Sequence, residues 1–513
     1  MREINPLTRM DYPDPDVIRV GDAYYMVSTT MYFMPGGVIL RSYDLAHWEI
    51  ASYIFSSLDG TPAERLENGQ NCYGKGMWAA SLRCHDGTFY VVFVSHGQEN
   101  THLFTARSVE GPWEHRRIEG YFHDCSLYFA EDGRKFLVSG NTEIRLTELR
   151  DDMSGPKEGG VDKVIVRDDR EKVFLGYEGA HLYNIDGRFV LTLIHWPKAT
   201  SRRTEAVFVS DTLDGEYVGR DAFWDDGGYC GQGIAQGGLV DTPDGRWYAV
   251  LFRDSGAIGR IPVLVPVTWQ DGWPCYGEYV DGQWRLPEDV PVESTRPEHV
   301  YEPLFASDRF EADGSKERTL KPQWQWNHVP DNERWSILPE GGLAITTGAA
   351  CVNPLWARNT LTQRMRWPDC EAEVTVDASG LSDGDRAGMC ALQGCYCMVC
   401  VAKEDGRYYL EIVGKKEPTP GFGIGCNDTE APEVMFREEL DGPVATVGIR
   451  GDFAEMKDIV TCFVRRNGAA VTIGEPHRMY FRLDHFTGAR FALCAWSEKR
   501  PGGTAVFREF VYR

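Results

Sequence analysis

The chain has 513 residues, 42 % of them hydrophobic, which is longer than one ordinary domain and predicts two. Its formal net charge of −23 argues against a nucleic-acid partner and against an anionic membrane surface, because both need a basic face; a neutral ligand such as a sugar is not opposed. No uncharged apolar run is long enough to cross a bilayer, and the opening MREINPLTRMDYPDP lacks the apolar stretch of a secretory signal, so a cytoplasmic location is expected, or a secreted one had a leader been removed.

Read in chain order, one short pattern returns five times. It is GDAYYMV from Gly21, DGTFYVVF from Asp86, DGRKFLV from Asp132, DGRFVLTL from Asp186 and DGRWYAVLF from Asp244. An Asp-Gly pair between β-prone runs is a hairpin signal, since both residues tolerate positive φ. The spacing, roughly 45–65 residues, is that of propeller blades. Each repeat runs on into further strand-like segments, such as GVILRSYDLAHWEI, and helical periodicity is hard to find before residue 300. The expectation is a five-bladed β-propeller, with an irregular β-sandwich as the alternative. Residues 286–303, LPEDVPVESTRPEHVYEP, are rich in proline and charge and read as a boundary. Beyond them come short alternating runs: WSILPEGGLAITTG, CEAEVTVDASG, YYLEIVGKK, AAVTIG, RMYFRLD, RFALCAW and AVFREFVYR. They predict an antiparallel β-sandwich of jelly-roll, concanavalin-like type. The chain is therefore expected to be all-β, a propeller over 1–303 followed by a sandwich over 304–513.

Aligning what precedes each hairpin exposes a second regularity. Trp78, Asp124, Glu178 and Gln236 each stand nine positions before the glycine of the turn, and Asp14 holds the corresponding place in the first repeat within a residue or two. Equivalent positions of blades around one axis lie close together, so three carboxylates, a tryptophan and a glutamine should share one ring. Crowded carboxylates repel and lose solvent, which structure alone does not favour and acid–base chemistry requires. Glycoside hydrolysis needs such a pair on opposite sides of the scissile bond. A calcium or water site in the channel is the alternative use of clustered oxygens.

These motifs together, YPDPDVIRVGDAYYMVSTT, MWAASLRCHDGTFYV, HDCSLYFAEDGRKFLV, YEGAHLYNIDGRFVL and AQGGLVDTPDGRWYAVLF, resemble glycoside hydrolase family 43, the inverting β-xylosidases and α-L-arabinofuranosidases. In the second half PQWQWNHVPDNERWSI resembles the sandwich of the family's two-domain exo-enzymes. The resemblance implies an exo-acting inverting hydrolase that releases terminal β-D-xylose or α-L-arabinofuranose from short xylo- or arabino-oligosaccharides. It implies Asp14 as general base, Asp124 as modulator of the acid's pKa and Glu178 as general acid. It also implies Arg260, in GAIGRIPV, as a ligand of sugar hydroxyls, Trp78 as a wall of the sugar subsite, and Phe486, in HFTGA, as a sandwich aromatic reaching the pocket mouth. Two positions depart from the family. Gln236 stands where many members carry a histidine that approaches a metal, so no metal is expected in the active site and no cofactor is required. Met31 stands where xylosidase-like relatives carry phenylalanine, which predicts a differently shaped first subsite.

Other constellations weigh less. His181, three residues after Glu178, is a candidate substrate ligand, with packing as the alternative. CYCMVC, Cys395–Cys400, holds one C-x-x-C on an alternating apolar run and reads as buried thiols rather than zinc. Asp308 and Glu311 are candidates for a structural calcium, against ordinary solvated charge. Two rival functions remain: a retaining fructan-type hydrolase on a similar propeller, and a non-catalytic carbohydrate-binding propeller.

Overall fold

The computed structural model describes residues 4–311, 320–417, 423–426 and 428–513. Five antiparallel units of four strands follow one another along the chain, the second with the two-residue strand Gly76–Met77 added. The first consists of Asp16–Val20, Ala23–Ser28, Gly36–Ser42 and Glu49–Phe55, and the second of Ser81–His85, Thr88–His96, Asn100–Ala106 and Glu114–Ile118. Ser126–Phe129, Lys135–Ser139, Glu143–Leu149 and Asp162–Arg167 form the third. The fourth is Val173–Ile185, Arg188–Pro197, Thr204–Ser210 and Val218–Phe223, and the fifth Ile234–Asp241, Trp247–Asp254, Arg260–Gln270 and Trp273–Tyr276. The first strands of successive units touch one another, and that of the fifth touches that of the first, which closes a five-bladed propeller. All five repeated turns place a glycine at positive φ, and in two of them the aspartate joins it. Asp86 and Gly87 have φ of 49° and 67°, Asp186 and Gly187 of 52° and 79°, so both pairs take the left-handed conformation that matches the twist of a tight hairpin. Alternate residues such as Val27, Ile39, Leu82, Val91 and Phe93 fill the space between neighbouring blades.

The second half is a sandwich of two antiparallel sheets. One contains, in order, Phe33–Met34, Gln325–Asn327, Thr360–Arg364, Arg490–Ser497, Asp385–Leu392, Cys397–Glu404, Arg407–Gly414 and Glu433–Leu440. The other contains Trp335–Ile337, Leu343–Thr346, Thr504–Tyr512, Asp369–Asp377, Val444–Asp452, Ile459–Arg466 and Ala469–Arg478. The edge strand Phe33–Met34 comes from blade 1, pairing with Asn327 and Trp326. One core joins propeller residues Tyr12, Val17, Val250 and Ile261 to sandwich residues Trp326, Leu361 and Phe491. Asp11 fastens the joint: one carboxylate oxygen accepts from the Arg260 backbone N–H, the other from that of Gly488, both at 2.8 Å.

The structure corrects one expected strand. RMYFRLD alternates like a strand, but the strand ends at Arg478 and residues 479–489 form a loop. Its apolar side chains Met479, Phe481 and Leu483 line a pocket between the two halves instead of a sheet face, and Asp484 ties the loop to itself. Tyr480 Oη donates to Asp484 Oδ2 at 3.0 Å, and the His485 N–H to Asp484 Oδ1 at 2.8 Å. CYCMVC enters a buried strand, and all 14 cysteines are free thiols. Asp308 accepts from the Phe310 N–H at 2.8 Å and the Trp324 indole N–H at 2.9 Å. Two nitrogen donors on its two oxygens are the partners of a hydrogen-bonding carboxylate, and Glu311 beside it is exposed, so the calcium reading finds no support in these side chains. Among the described residues no helix is long and apolar enough to cross a membrane.

Candidate active site

The top of the propeller axis opens into a pocket of about 1180 Å³, walled by both halves of the chain. Asp14, Met31, Trp78, Asp124, Glu178, Gln236, Arg260 and Phe486 all line it. The ring positions share a backbone feature that explains their aim. Asp14, Asp124 and Gln236 have φ of 51°, 44° and 58°, and Gly179, immediately after Glu178, has 63°. The pairing register slips between Glu178 and His181 and again between Ala235 and Gly237. Such bulges turn a side chain out of the sheet and toward the axis, and non-glycine residues hold this conformation only where the surroundings enforce it. Glycine is required at 179, where a Cβ would lie 2.7 Å from the Gln236 side chain.

Each carboxyl has its own partners. Asp14 is buried; Arg260 Nη1 donates to its Oδ1 at 2.6 Å and Thr29 Oγ1 to its Oδ2 at 2.8 Å. Burial pushes its carboxyl above the ordinary value, against the opposing pull of Arg260 and Thr29. Burial likewise raises Asp124; His123 opposes the shift, while Glu178 and Asp14 add to it. Glu178 Oε2 accepts from Asn141 Nδ2 and lies 3.1 Å from His123 Nε2, which is itself 3.7 Å from Asp124 Oδ1. Burial disfavours the charge on His123, but Asp124 and the hydrogen bond to Glu178 outweigh it and lift the imidazole to about 9. With both donors on Oε2, Oε1 is left as the oxygen able to carry an exchangeable proton into the pocket.

Aromatic and cationic groups complete the walls. Trp78 stacks on His96 at 4.2 Å and meets Phe486 edge-on at 5.9 Å. Phe486, in the 479–489 loop, lies 4.4 Å from the Arg260 guanidinium, so the sandwich supplies the ring that covers the arginine. Gln236 donates its backbone N–H to Glu205 at 2.8 Å. Arg203, paired with Asp254, is a second pocket-lining guanidinium close enough to influence both Glu178 and Asp14.

His181 does not face the pocket, which corrects its expected place as a substrate ligand. The bulge after Glu178 turns it down the axis, where it is buried with Nδ1 3.4 Å from Asp16 Oδ1, and burial lowers its pKa. The axis there is plugged: Asp16 Oδ2 accepts from the Leu82 N–H at 2.8 Å and from Arg83 Nη1 at 2.6 Å. The Asp16 carboxylate is thus paired with the Arg83 guanidinium. Among the described residues one cluster, His123, Asp124 and Glu178, brings three potential ligand atoms within 4.8 Å. His123 lies between the two carboxyls, 3.1 Å from Glu178 and 3.7 Å from Asp124, which links all three in one charged cluster.

His123, Asn141, Thr29 and Arg203 were not legible as site residues. His123 and Asp124 sit in the turn before Ser126–Phe129, where the positive φ of Asp124 lets both adjacent side chains line the pocket. Its only signal is position, directly before a ring residue. Asn141 follows the strand Lys135–Ser139 and carries none.

With this geometry in hand, the comparisons with known proteins are specific. Residues 4–274 match the model of glycosyl hydrolases family 43, and residues 310–513 that of the β-xylosidase C-terminal concanavalin A-like domain. The chain belongs to glycosyl hydrolase family 43. This family 43 protein is a glycosidase, and the fructan-type and non-catalytic alternatives are not favoured. It is 26 % identical to a β-xylosidase of Formosa agariphila over 99 % of this chain and 90 % of the relative. A non-reducing end α-L-arabinofuranosidase of Bacteroides ovatus is 28 % identical, with 67 % and 65 % covered. Among solved structures, a bifunctional GH43-CE protein of Bacteroides eggerthii is 37 % identical with a TM-score of 0.90; the match covers 99 % of this chain and 63 % of that longer one. A GH43 enzyme engineered to display both endo-xylanase and exo-arabinofuranosidase activity is 26 % identical, with a TM-score of 0.86 and 99 % of each chain covered.

Proposed function

We propose that this glycosidase removes a terminal β-D-xylose or α-L-arabinofuranose from xylo- or arabino-oligosaccharides by single displacement with inversion. The observation that carries the reading is the convergence of Asp14, Asp124 and Glu178, from equivalent points of blades 1, 3 and 4, on one pocket. The names of the relatives, β-xylosidase and α-L-arabinofuranosidase, support the pentose.

In this reading Asp14, ionised and oriented by Arg260 and Thr29, takes a proton from water as that water attacks the anomeric carbon. Glu178 gives its Oε1 proton to the glycosidic oxygen as the bond breaks, while His123 and Asn141 hold Oε2. Asp124, buried beside His123, keeps that imidazole charged and in place. Trp78 offers its ring to the sugar face, and Arg260 and Gln236 offer donors to its hydroxyls. The sandwich loop 479–489 walls the pocket beside the ring, which supports action on the end of a chain.

Rates on an aryl β-D-xyloside and an aryl α-L-arabinofuranoside test the proposal. Acid–base groups of this kind contribute roughly 10²–10⁴-fold, so Asp14→Asn should lose that much on the preferred aryl substrate and Glu178→Gln on the alkyl glycoside of the same sugar, whose leaving group needs the proton. Full activity in either variant contradicts the assignment.

A further inference from the structure

We propose that Phe174 and Trp196 form the shelf on which the leaving-group sugar stacks. The inference rests on the glycosidase reading above and adds the half of the substrate that reading leaves open. Phe174 is 64 % exposed, yet it lines the pocket. A single exposed phenylalanine is ordinary. This one is placed by the strand that carries Glu178, four residues upstream of it. The returning strand sets Ile194 opposite Glu178 and Trp196 opposite Leu175, so the shelf and the proton donor belong to one hairpin and cannot drift apart.

The chemistry fixes which sugar lies there. Glu178 protonates the glycosidic oxygen, and the group that departs with that oxygen is the leaving sugar. It must therefore lie on the Glu178 side, toward blade 4, while Asp14 and its water take the opposite face. The two rings meet edge to face, 6.0 Å apart at 75°, and Lys198 Nζ lies 6.0 Å from the Phe174 ring centroid. Trp196 is held from behind by Arg203, whose guanidinium lies 5.2 Å from its ring and is anchored on Asp254. The Trp196 indole N–H is buried without an acceptor among the described residues, so it is the ring and not the N–H that the shelf offers. The pocket volume of about 1180 Å³ also exceeds the roughly 300–1000 Å³ typical of sites for drug-sized ligands, leaving room for more than a single pentose. The ligand class is a pyranose ring of a pentose backbone, which lacks an exocyclic CH₂OH and presents a flat C–H face to an aromatic.

The test is a ratio: kcat/KM for xylotriose over kcat/KM for methyl β-D-xyloside, in wild type, Phe174→Ala and Phe174→Trp. Aromatic stacking of this strength predicts a fall in the ratio of roughly threefold to tenfold in Phe174→Ala, carried by KM more than by kcat, and recovery in Phe174→Trp. If the wild type releases only arabinose, the same ratio is taken on arabinofuranosyl-xylotriose and methyl α-L-arabinofuranoside. An unchanged ratio in Phe174→Ala overturns the shelf and leaves the glycosidase reading intact. A wild type inactive on all four substrates overturns the reading and the shelf with it.

Discussion

Arg260→Met removes the countercharge of the proposed base. Guanidinium and carboxylate are 2.6 Å apart, with side chains only 4 % and 7 % exposed, so solvent cannot replace the lost partner. Stranding one charge of a buried pair costs about 3–5 kcal/mol. The protein escapes most of that cost by protonating Asp14, and a protonated Asp14 cannot accept a proton from water. At 1.36 kcal/mol per decade, kcat/KM near neutral pH should fall at least ~100-fold. Burial already raises the Asp14 carboxyl and Arg260 opposes it, so without Arg260 it rises further. The acid limb of the pH–rate profile, on which the base ionises, should therefore move to higher pH, and the variant should regain part of its activity as pH is raised. Its stability should show the same linkage. The native state then binds the Asp14 proton more tightly than the unfolded state, so stability is greatest in acid and falls as pH rises through the raised value. Arg260→Lys should restore part of the rate. The assay is a kcat/KM profile on the preferred aryl pentoside. A uniform drop at every pH, with the acid limb unmoved, would refute the reasoning.

Three further outcomes are expected. His123→Gln removes a charge-assisted donor from Glu178 Oε2, a bond of about 1.5–3 kcal/mol, so hydrolysis of alkyl glycosides should slow ~10–100-fold. Aryl substrates with good leaving groups need less protonation and should slow less; equal losses on both would show that His123 does not serve the acid. Asp11→Ala strips two backbone N–H groups of their acceptor at the joint between propeller and sandwich, which should destabilise the protein by roughly 2–4 kcal/mol in urea and raise KM as Phe486 loosens; an unchanged midpoint would argue against Asp11 as the fastener. His195 lies 2.9 Å from both Asp168 and Asp221; burial opposes its charge, but the two carboxylates raise it to about 9. Its contribution is complete below the unfolded value near 6.5 and is lost as pH rises through about 9, on the order of 2–3 kcal/mol with the partly exposed Asp221 screened. Urea titrations at about pH 6 and pH 10 should therefore differ less in His195→Gln than in wild type, although His123, raised in the same direction, keeps part of the slope.

What the sequence revealed was what it repeated. The Asp-Gly hairpins recur because every blade needs a tight turn with a glycine at positive φ, although only Asp86 and Asp186 join their glycines there. Counting back from them found Trp78, Asp124, Glu178 and Gln236 because the inner strands share one register. Asp14, which alone reads as a turn residue between prolines, is legible only beside the others. Residues outside the repeat stayed hidden. Thr29, Asn141 and Arg203 each reach the ring from a different element, and His123 shares the pocket with Asp124 only because of a positive φ that no alternation pattern encodes. His181 was misplaced for the same reason, since the bulge at Gly179 resets which side chains face the pocket. The RMYFRLD segment has the composition of a strand, but only Met479 is buried in the core, while Phe481 and the exposed Leu483 line the pocket. The two-residue strand Phe33–Met34 is too short to leave a pattern, although it ties the two halves together.

The central claim is a single displacement with Asp14 delivering water and Glu178 delivering a proton. Proton NMR of the first-formed sugar, followed from the earliest turnover on an aryl β-D-xyloside or aryl α-L-arabinofuranoside, tests it directly. The account predicts that the anomer opposite to the substrate's appears first and mutarotates later. Initial release of the same anomer would mean a covalent intermediate, and would contradict it.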